Sequence, residues 1–397
     1  MPSRAAAKPS RVEHEVLRLT ARTRHDAASD ARLRQLWHPG IDWAYLLETA
    51  VSQGTVCLLH THLDRLVASG DLTMPAEVLA ELRSRHEGVA VRNLRLDAEL
   101  RVLLREFERT GVEVLPYKGP VLAATMYGNL SLRMFADLDF LVRERDLAAA
   151  AVVLQSRGYA PGQDHSVSRQ RRLRRLGHEE SFVRPGERVE LHWQVASRLY
   201  GAHVPLDAVW ARRPAASRAH HATQGMSPED LLVILCIHGC THAWERLVWV
   251  ADVAELLHNA QDEGGRALNW DLARRIATDA HVERRLKLGL LLASSWLDAP
   301  LPEAVRAWVA LDRTVAKTAT RVTRWFPGSP LAMRSIQFHL PLHDSLPDAV
   351  RFLMRALFTV TPADWSFVAL PDIVYPLYAV VRPVRLIAGL ARGWRWS

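Results

Sequence analysis

Apolar residues recur at intervals of three and four positions along most of this chain, with charged residues between them. This spacing is typical of amphipathic helices. The sequence Ser227-Pro228-Glu229-Asp230 is a strong helix start, because a capping serine is followed by a proline and two acids. On this basis we predict helices at 42–52, 75–108, 231–259, 271–280, 282–297 and 302–317, and proline-interrupted helices over 349–397.

The pattern changes between residues 111 and 197, where short runs of β-branched and alternating residues appear. Such runs predict strands, here at 112–115, 138–142, 181–184 and 188–193, with helical spacing at 121–127 and 146–157 between them. The fold class that follows is α+β and mostly helical: a small mixed β-sheet core is flanked by N- and C-terminal helical segments.

The length of 397 residues is enough for two or three structural units. The last part of the chain mixes apolar residues with arginines and tryptophans, which is typical of an interfacial amphipathic helix or, as we favour, of a helix packed on the protein. The changes of pattern predict a basic mobile N-terminal tail at 1–30, a helical segment at 31–110, the sheet core at 111–197, a helical domain at 198–330 and a C-terminal helical segment at 331–397.

Basic residues outnumber acidic ones, with 51 Lys and Arg against 43 Asp and Glu and a net charge of +8. This balance favours anionic partners, of which nucleotide phosphates come first, nucleic acid second and a lipid surface last. No stretch approaches the roughly 18 apolar residues of a membrane span, so a membrane partner is unlikely. Three cysteines exclude a disulfide scaffold and indicate a reducing compartment, from which we expect a cytoplasmic location.

The tripeptide Asp137-Leu138-Asp139 is the most informative candidate for chemistry. At the start of a strand, residues two positions apart share a face, so both carboxylates project to the same side. Two adjacent carboxylates repel each other unless a cation lies between them, and hard oxygen ligands suit Mg²⁺ or Mn²⁺. By itself the pattern is also common at solvated strand ends.

Three neighbouring features strengthen the metal interpretation. Gly119 follows the first strand where a helix begins, a turn that can direct backbone N–H groups at a phosphate. Arg133 is a candidate for contacting a triphosphate oxygen. The alternating run Val189-Glu190-Leu191-His192-Trp193 places Glu190 and His192 on one face, where an acid could complete a three-carboxylate metal site.

These residues in this order resemble the bacterial uncharacterised nucleotidyltransferase family of the polymerase-β-like superfamily. The resemblance is carried by Lys118-Gly119, Tyr127-Gly128, Arg133, Asp137-Leu138-Asp139-Phe140-Leu141-Val142, Gly158-Tyr159 and Val189-Glu190-Leu191-His192-Trp193. It continues downstream through Glu229-Asp230, His238-x-x-x-His242-x-Trp244, Asp252, Trp270, Leu301-Pro302, Asp364-Trp365, Leu370-Pro371 and Arg382-Pro383. The segment 111–197 would then be the nucleotidyltransferase core.

The resemblance implies a Mg²⁺- or Mn²⁺-dependent enzyme that moves a nucleoside monophosphate from an NTP to an acceptor and releases pyrophosphate. Asp137 and Asp139 would bind metal, Glu190 would be the third acid, and Gly119 would shape the phosphate-binding turn. Lys118 departs from the Gly-Ser or Gly-Gly that the wider superfamily has at this turn. As one of only four lysines, Lys118 is a candidate for direct contact with phosphate.

The acceptor is a hydroxyl or phosphate of a small molecule, a peptide or an RNA, and the sequence does not distinguish between them. Relatives in this family tend to belong to natural-product or surface-polymer gene clusters, which implies a role in biosynthesis. The dense basic run 169–175 is a candidate for holding a phosphorylated acceptor, RNA or acidic peptide, or is a solvated helix face. Candidate acceptor-binding residues are Arg171, Arg172, His178, His192, His238 and His242.

The sequence Cys236-x-His238-x-Cys240-x-His242 has the composition of a zinc site. On a helix, however, the two cysteines share one face and the two histidines share another, so the four side chains cannot converge on one ion. We therefore expect no four-ligand zinc site, and place the histidine pair at the cleft or in packing contacts.

Two other functions remain open from the sequence. An Asp-x-Asp metal site can equally hold the diphosphate of a nucleotide-sugar, in which case a sugar is transferred. A non-catalytic scaffold that binds nucleotide or RNA, with vestigial acids, is the third hypothesis. The sequence leaves the oligomeric state open.

Overall fold

The computed structural model describes residues 11–162, 177–214, 225–261, 267–327 and 336–391. A mixed β-sheet lies among helices from both halves of the chain, which confirms the prediction of a mostly helical α+β fold with a small sheet. The basic run at 169–175, with Arg171 and Arg172, lies outside the described residues.

The N-terminal helices are α1 to α5. Residues 1–24 lie in the predicted tail, where the pattern also allows a short helix, and residues 12–20 do form a helix, with Val16 and Leu17 fully buried. The long α5 precedes the sheet and packs on α4. The bounds of these helices are Val12–Thr20, Ala27–Leu36, Trp43–Ser52, Val56–Ala68 and Ala76–Arg109.

The sheet has five strands in the order β1-β2-β5-β4-β3. Strand β2 runs parallel to β5 in the centre, and the other pairings are antiparallel. Strand β2 was predicted with its observed bounds, whereas the two-residue β3 was missed because it is too short to show alternation. The strands are Val114–Pro116, Leu138–Val142, Ala160–Pro161, Glu179–Arg184 and Glu187–His192, with helices α6, Pro120–Thr125, and α7, Leu147–Ser156, inserted between them.

The helices that follow the sheet pack mainly on one another around α9, α10 and α12. One apolar core includes these helices and the N-terminal α1 to α4, while a second surrounds the sheet, α5 and α7. The helices are α8 Leu206–Arg212, α9 Pro228–Thr241, α10 Leu247–Asn259, α11 Trp270–Asp279, α12 Glu283–Leu297, α13 Glu303–Ala310, α14 Arg313–Trp325, α15 Ile336–His339, α16 Leu346–Phe358, α17 Pro362–Phe367 and α18 Tyr378–Ala391.

The helical stretch 231–259, which the sequence pattern leaves as one bent helix or two, forms two helices, α9 and α10, with a break between them. Ala243 and Trp244 there have φ angles of 52° and 55°, which is rare for residues with side chains. The break returns the fully buried Trp244 indole over α9, where it packs so closely on Gly239 that an added Cβ would lie 2.5 Å from the ring. Burial of the indole offsets the backbone strain of the turn.

None of the helices in the described ranges is long and apolar enough to cross a membrane.

Candidate active site

The two central strands bring the candidate acids together. Strands β2 and β5 are parallel and pair Asp139 directly with Glu190. Asp137 immediately precedes β2, two residues before Asp139 and therefore on the same side of the strand. The alternate residues Leu138 and Phe140 are buried in the sheet core. The alternation of the sequence thus explains why the three carboxylates lie at one edge of one cleft.

Asp139 is the most enclosed of these acids, with a side chain that is 4% exposed. Its Oδ1 accepts hydrogen bonds from Lys118 Nζ at 2.9 Å and from His192 Nε2 at 3.0 Å. The Oε2 atom of Glu190 lies 3.6 Å from the same His192 nitrogen. Two cationic groups therefore occupy the space between the acids in this structure.

The charges in this group shift one another's pKa values. Burial opposes ionisation of Asp139, but Lys118 and His192 outweigh it and hold the pKa of that carboxyl well below its usual range. Burial lowers the pKa of His192, but its hydrogen bond to Asp139 and the nearby Glu190 carboxylate outweigh this and raise the pKa to about 9. His192 is therefore an imidazolium at neutral pH; its Nε2 donates to Asp139, and its Nδ1 lies 3.2 Å from Glu179 Oε2.

Asp137 behaves in the opposite way. Burial, followed by the negative charges of Asp139 and Glu190, raises the pKa of Asp137 to about 7. Lys118 and Arg133 reduce this effect without cancelling it. The protein alone thus leaves negative charge in the cleft incompletely compensated, as is expected of a site that holds a cation.

Gly119 forms the turn between β1 and α6. Its φ of 52° and ψ of −125° lie in a region that favours glycine, and an added Cβ would lie 3.1 Å from the carbonyl oxygen of Asp137. The turn thus packs its backbone directly against the residue that begins the acidic group. It also directs the neighbouring Lys118 side chain to Asp139.

Arg133 lines the cleft but is engaged in a buried ion pair. Its Nε and Nη2 atoms donate to the two oxygens of Asp252 in α10 at 2.6 and 2.8 Å. Tyr127 Oη donates to the same carboxylate at 2.8 Å, and Asn93 Nδ2 donates to the Arg133 carbonyl. Arg133 was the predicted contact for a triphosphate oxygen. In the structure its Nε and Nη2 atoms instead join the sheet region to the helical wall.

The opposite wall of the cleft carries the two predicted histidines. The rings of His238 and His242 lie 4.7 Å apart and both contact Trp249, at 5.3 and 5.0 Å between ring centroids. Burial, followed by the positive charge of Lys118, lowers the pKa of His238 well below its usual range, so this ring is neutral. Imidazole and indole faces together offer a surface for a planar or apolar part of a substrate.

The cysteines of the same motif face away from the cleft. Cys236 and Cys240 are buried in the apolar core, and Cys240 Sγ accepts a hydrogen bond from Trp244 Nε1 at 3.3 Å. Burial raises the pKa of Cys240 to about 12. The helical separation of the two pairs is as the sequence predicted, and the four side chains do not form a zinc site.

Arg246 is a cleft residue that the sequence reasoning missed. It lies in the turn between α9 and α10, and its Nε donates to the Ser52 carbonyl at 3.0 Å. Burial, followed by the charge of Arg133, lowers its pKa. No carboxylate in the described part of the chain forms an ion pair with Arg246. Because an arginine is unremarkable in so arginine-rich a sequence, only its position in the turn reveals it.

Gln53, in the loop between α3 and α4, holds this turn in place. Its Oε1 accepts from the Leu247 N–H at 2.8 Å, and its Nε2 donates to the Glu245 carbonyl at 3.1 Å. The Gln53 carbonyl also accepts from the Val248 N–H at 3.1 Å. A buried side chain from the N-terminal helices therefore fixes the backbone that carries Arg246.

Two groups of side chains in the cleft could hold a metal ion. Asp139, Glu190 and His192 form one, and His178, Glu179 and His192 form the other, with the potential ligand atoms of each group within 4.8 Å of one another. Strand β4 pairs Glu179 directly with His192. His178 and His192 outweigh burial and lower the pKa of Glu179 to about 2.

The cleft has a volume of about 450 Å³. Every predicted site residue that the structure describes lines it: Lys118, Gly119, Arg133, Asp137, Asp139, His178, Glu190, His192, His238 and His242. Residues from the sheet, the turn after β1 and helices α9 and α10 thus converge on one cleft.

A family model described as an uncharacterised nucleotidyltransferase matches residues 39–298. The matched range includes every residue that lines the cleft. No curated protein and no solved structure matches the chain.

Proposed function

The chain belongs to the uncharacterised nucleotidyltransferase family, and on this premise we propose that it transfers a nucleoside monophosphate from an NTP to a hydroxyl or phosphate of an acceptor, releasing pyrophosphate. The observation that carries the proposal is the direct pairing of Asp139 with Glu190 across two parallel strands, with Asp137 beside them. Acids placed in this way at the edge of an open cleft suit metal-assisted phosphoryl chemistry.

The donor set fits Mg²⁺ or Mn²⁺. Asp137, Asp139 and Glu190 offer hard carboxylate oxygens, and the raised pKa of Asp137 reports negative charge that the protein does not neutralise. When bound, a divalent ion would supply Lewis-acid stabilisation of the charge on the phosphoryl oxygens. Once deprotonated, His192 would add a nitrogen ligand that Mn²⁺ accepts more readily than Mg²⁺.

Lys118 is the proposed phosphate contact on the donor side. Its ammonium is paired with Asp139 at 2.9 Å, and the charge of that carboxylate outweighs burial to raise the pKa of Lys118. It therefore remains a cation at all physiological pH values. A triphosphate entering the cleft competes with Asp139 for this ammonium, and the Gly119 turn keeps the backbone close to the same point.

Glu190 is the proposed general base. Its side chain is 18% exposed, against 4% for Asp139, and its contact with His192 is longer than a hydrogen bond. It is therefore the carboxylate of the pair that an acceptor hydroxyl can approach, and it can take the proton as the hydroxyl attacks phosphorus.

The helical wall is the proposed acceptor side. His238, His242 and Trp249 offer ring faces, and Arg246 offers a guanidinium to an anionic group. His178, at the start of β4, closes the same cleft from the sheet side.

Release of pyrophosphate tests the proposal. The protein is incubated with each of the four NTPs, Mg²⁺ or Mn²⁺, and a protein-free small-molecule extract as the source of acceptor. Asp139→Asn is expected to reduce release by about 100-fold or more. Asp207→Asn, an exposed acid in α8, is the matched control and should leave the rate unchanged.

Two results would contradict nucleotidyl transfer. Release of a nucleoside diphosphate from a nucleotide-sugar, with no pyrophosphate from any NTP, would indicate sugar transfer at the same acids. Metal-dependent NTP binding that is equal in the wild type and in Asp139→Asn would remove these acids from the site.

A further inference from the structure

A second cleft, of about 420 Å³, lies on the other side of a short turn from the first. The turn is the 3₁₀ segment Arg198–Tyr200. Tyr200 lines the first cleft, whereas Arg198 and Gly201 line the second. Three residues of 3₁₀ helix advance roughly 6 Å, so one small molecule can extend across this turn.

The second cleft is strongly basic. Arg198, Arg351 and Arg355 line it, with His203 and His281, against a single carboxylate, Asp348. The Asp348 carboxylate already has partners within the protein. Arg351 Nη2 and Ser345 Oγ donate hydrogen bonds to it, and His281 Nδ1 lies 3.4 Å away. Three guanidiniums with one engaged carboxylate leave a net positive cleft.

Arg355 and the backbone of the turn are held in position by the fold. Arg355 Nη1 donates to the Arg198 carbonyl at 2.7 Å, which fixes α16 against the turn. Gly201, the residue that follows the Arg198–Tyr200 turn, has a φ of 70°, and an added Cβ would lie 3.4 Å from the His343 ring. The His203 N–H donates to the Ala280 carbonyl at 3.2 Å, so the floor of the cleft is hydrogen-bonded to the α11–α12 loop.

Buried polar atoms without hydrogen-bond partners lie beneath the turn. Arg285 is 2% exposed and donates to the Tyr200 carbonyl, but no carboxylate in the described ranges lies within ion-pair distance of it. Its Nη1 and the Nε2 atoms of His339 and His343 are buried without a hydrogen-bond partner. A buried guanidinium without a counter-ion adds positive potential at the wall that separates the two clefts.

We propose that the second cleft binds a phosphate monoester carried by the acceptor, through Arg198 and Arg355. This identification of the acceptor rests on the proposed function, since the transferred group would be added in the first cleft while the phosphate is held across the Arg198–Tyr200 turn. Guanidinium groups bind phosphate through paired, charge-assisted hydrogen bonds. Arg351, which Asp348 orients, supplies the third positive charge.

Calorimetric titration with glycerol 3-phosphate at low ionic strength tests the proposal on the full chain. Arg198→Gln and Arg355→Gln are each expected to raise the Kd by about tenfold. Arg105→Gln, on the exposed face of α5, is the matched control and should bind as the wild type does. Thermal unfolding of each variant checks that the fold is kept.

Three outcomes would overturn the proposal. The first is unchanged affinity in both arginine variants. The second is loss of glycerol 3-phosphate binding when a non-hydrolysable NTP analogue and Mg²⁺ saturate the first cleft, which would place the phosphate there. The third is tighter binding of inorganic phosphate than of the ester, which would indicate a free anion in place of an acceptor.

The same titrations separate this proposal from the proposed function. The NTP analogue should bind the wild type and both arginine variants equally, and should bind Asp139→Asn more weakly. Failure of the analogue to bind at all would count against nucleotidyl transfer. The effect of the arginine variants on glycerol 3-phosphate would still decide whether the second cleft is an anion site.

Discussion

Replacing Asp252 with asparagine would remove one charge from the contact that joins the sheet region to the helical wall. The Arg133 and Asp252 side chains are 7% and 1% exposed, and two hydrogen bonds of 2.6 and 2.8 Å connect them. Asparagine keeps the shape of the side chain but leaves the Arg133 guanidinium buried without a counter-charge. The variant therefore measures what an uncompensated cation costs at this position.

The expected cost follows from the burial of the pair. Breaking a buried ion pair by removing one partner typically destabilises a protein by about 3–5 kcal/mol. Because Arg133 borders the cleft, water can reach one side of its guanidinium, and we expect the lower end of this range, about 3 kcal/mol. The Tyr127 hydroxyl can still donate to the asparagine oxygen, so that hydrogen bond is retained.

Urea unfolding followed by circular dichroism measures this cost as a change in the free energy of unfolding. The matched control is Asp64→Asn, which breaks the exposed pair with Arg83, and it should cost less than about 1 kcal/mol. The double variant Arg133→Met with Asp252→Leu removes both charges, and it should be more stable than Asp252→Asn alone.

A cost for Asp252→Asn equal to that of the exposed control would refute the reasoning, since Arg133 would then find solvent or another partner easily. NTP affinity in the same variant provides a second measure. If Arg133 mainly joins the two regions, the affinity should fall as the cleft loosens. A rise in affinity would show that the freed guanidinium contacts the triphosphate, as the sequence suggested.

Three other measurements test separate features of the site and the fold. Gly119→Ala should lower the free energy of unfolding by about 2 kcal/mol, because of its positive φ and the 3.1 Å approach to the Asp137 carbonyl, as urea unfolding would show. Burial lowers the pKa of both His62 and His343 to about 4, so at these two residues the unfolded chain binds more protons between that value and about 6.5. Their contribution to stability should be complete above pH 6.5 and be lost as the pH decreases toward 4, with a smaller loss in His62→Gln. Mn²⁺ should raise the thermal unfolding midpoint of the wild type and leave that of Asp139→Asn unchanged; an equal rise in both would place the metal elsewhere.

Local sequence patterns were enough to locate the acids. Strand β2 and the alternation in β5 are visible in the sequence, and the parallel register that the two strands adopt makes Asp139 and Glu190 neighbours. The separation of the cysteine and histidine faces on α9 likewise follows from helical geometry alone. Periodicity therefore predicted both walls of the cleft.

Contacts between residues far apart in the chain could not be predicted in this way. The partner of Arg133 is Asp252, 119 positions later, and nothing in either local pattern indicates the pair. The break before α10 depends on where the Trp244 indole packs, which only the tertiary structure determines. Arg246 was missed for the same reason, since it becomes a cleft residue only when distant elements are assembled.

The hydrogen bonds of Gln53 limit how far the chain can be shortened from its N-terminus without altering the cleft. A polypeptide that begins after residue 110 would retain the sheet, the acids and both histidines, yet it would lack the side chain that holds the Glu245–Leu247 backbone. The loop carrying Arg246 would then lose three of the hydrogen bonds that define its shape. The N-terminal helices are thus part of the smallest unit that can form the cleft, and a ligand or modification that shifted α3 relative to α4 would change the cleft directly.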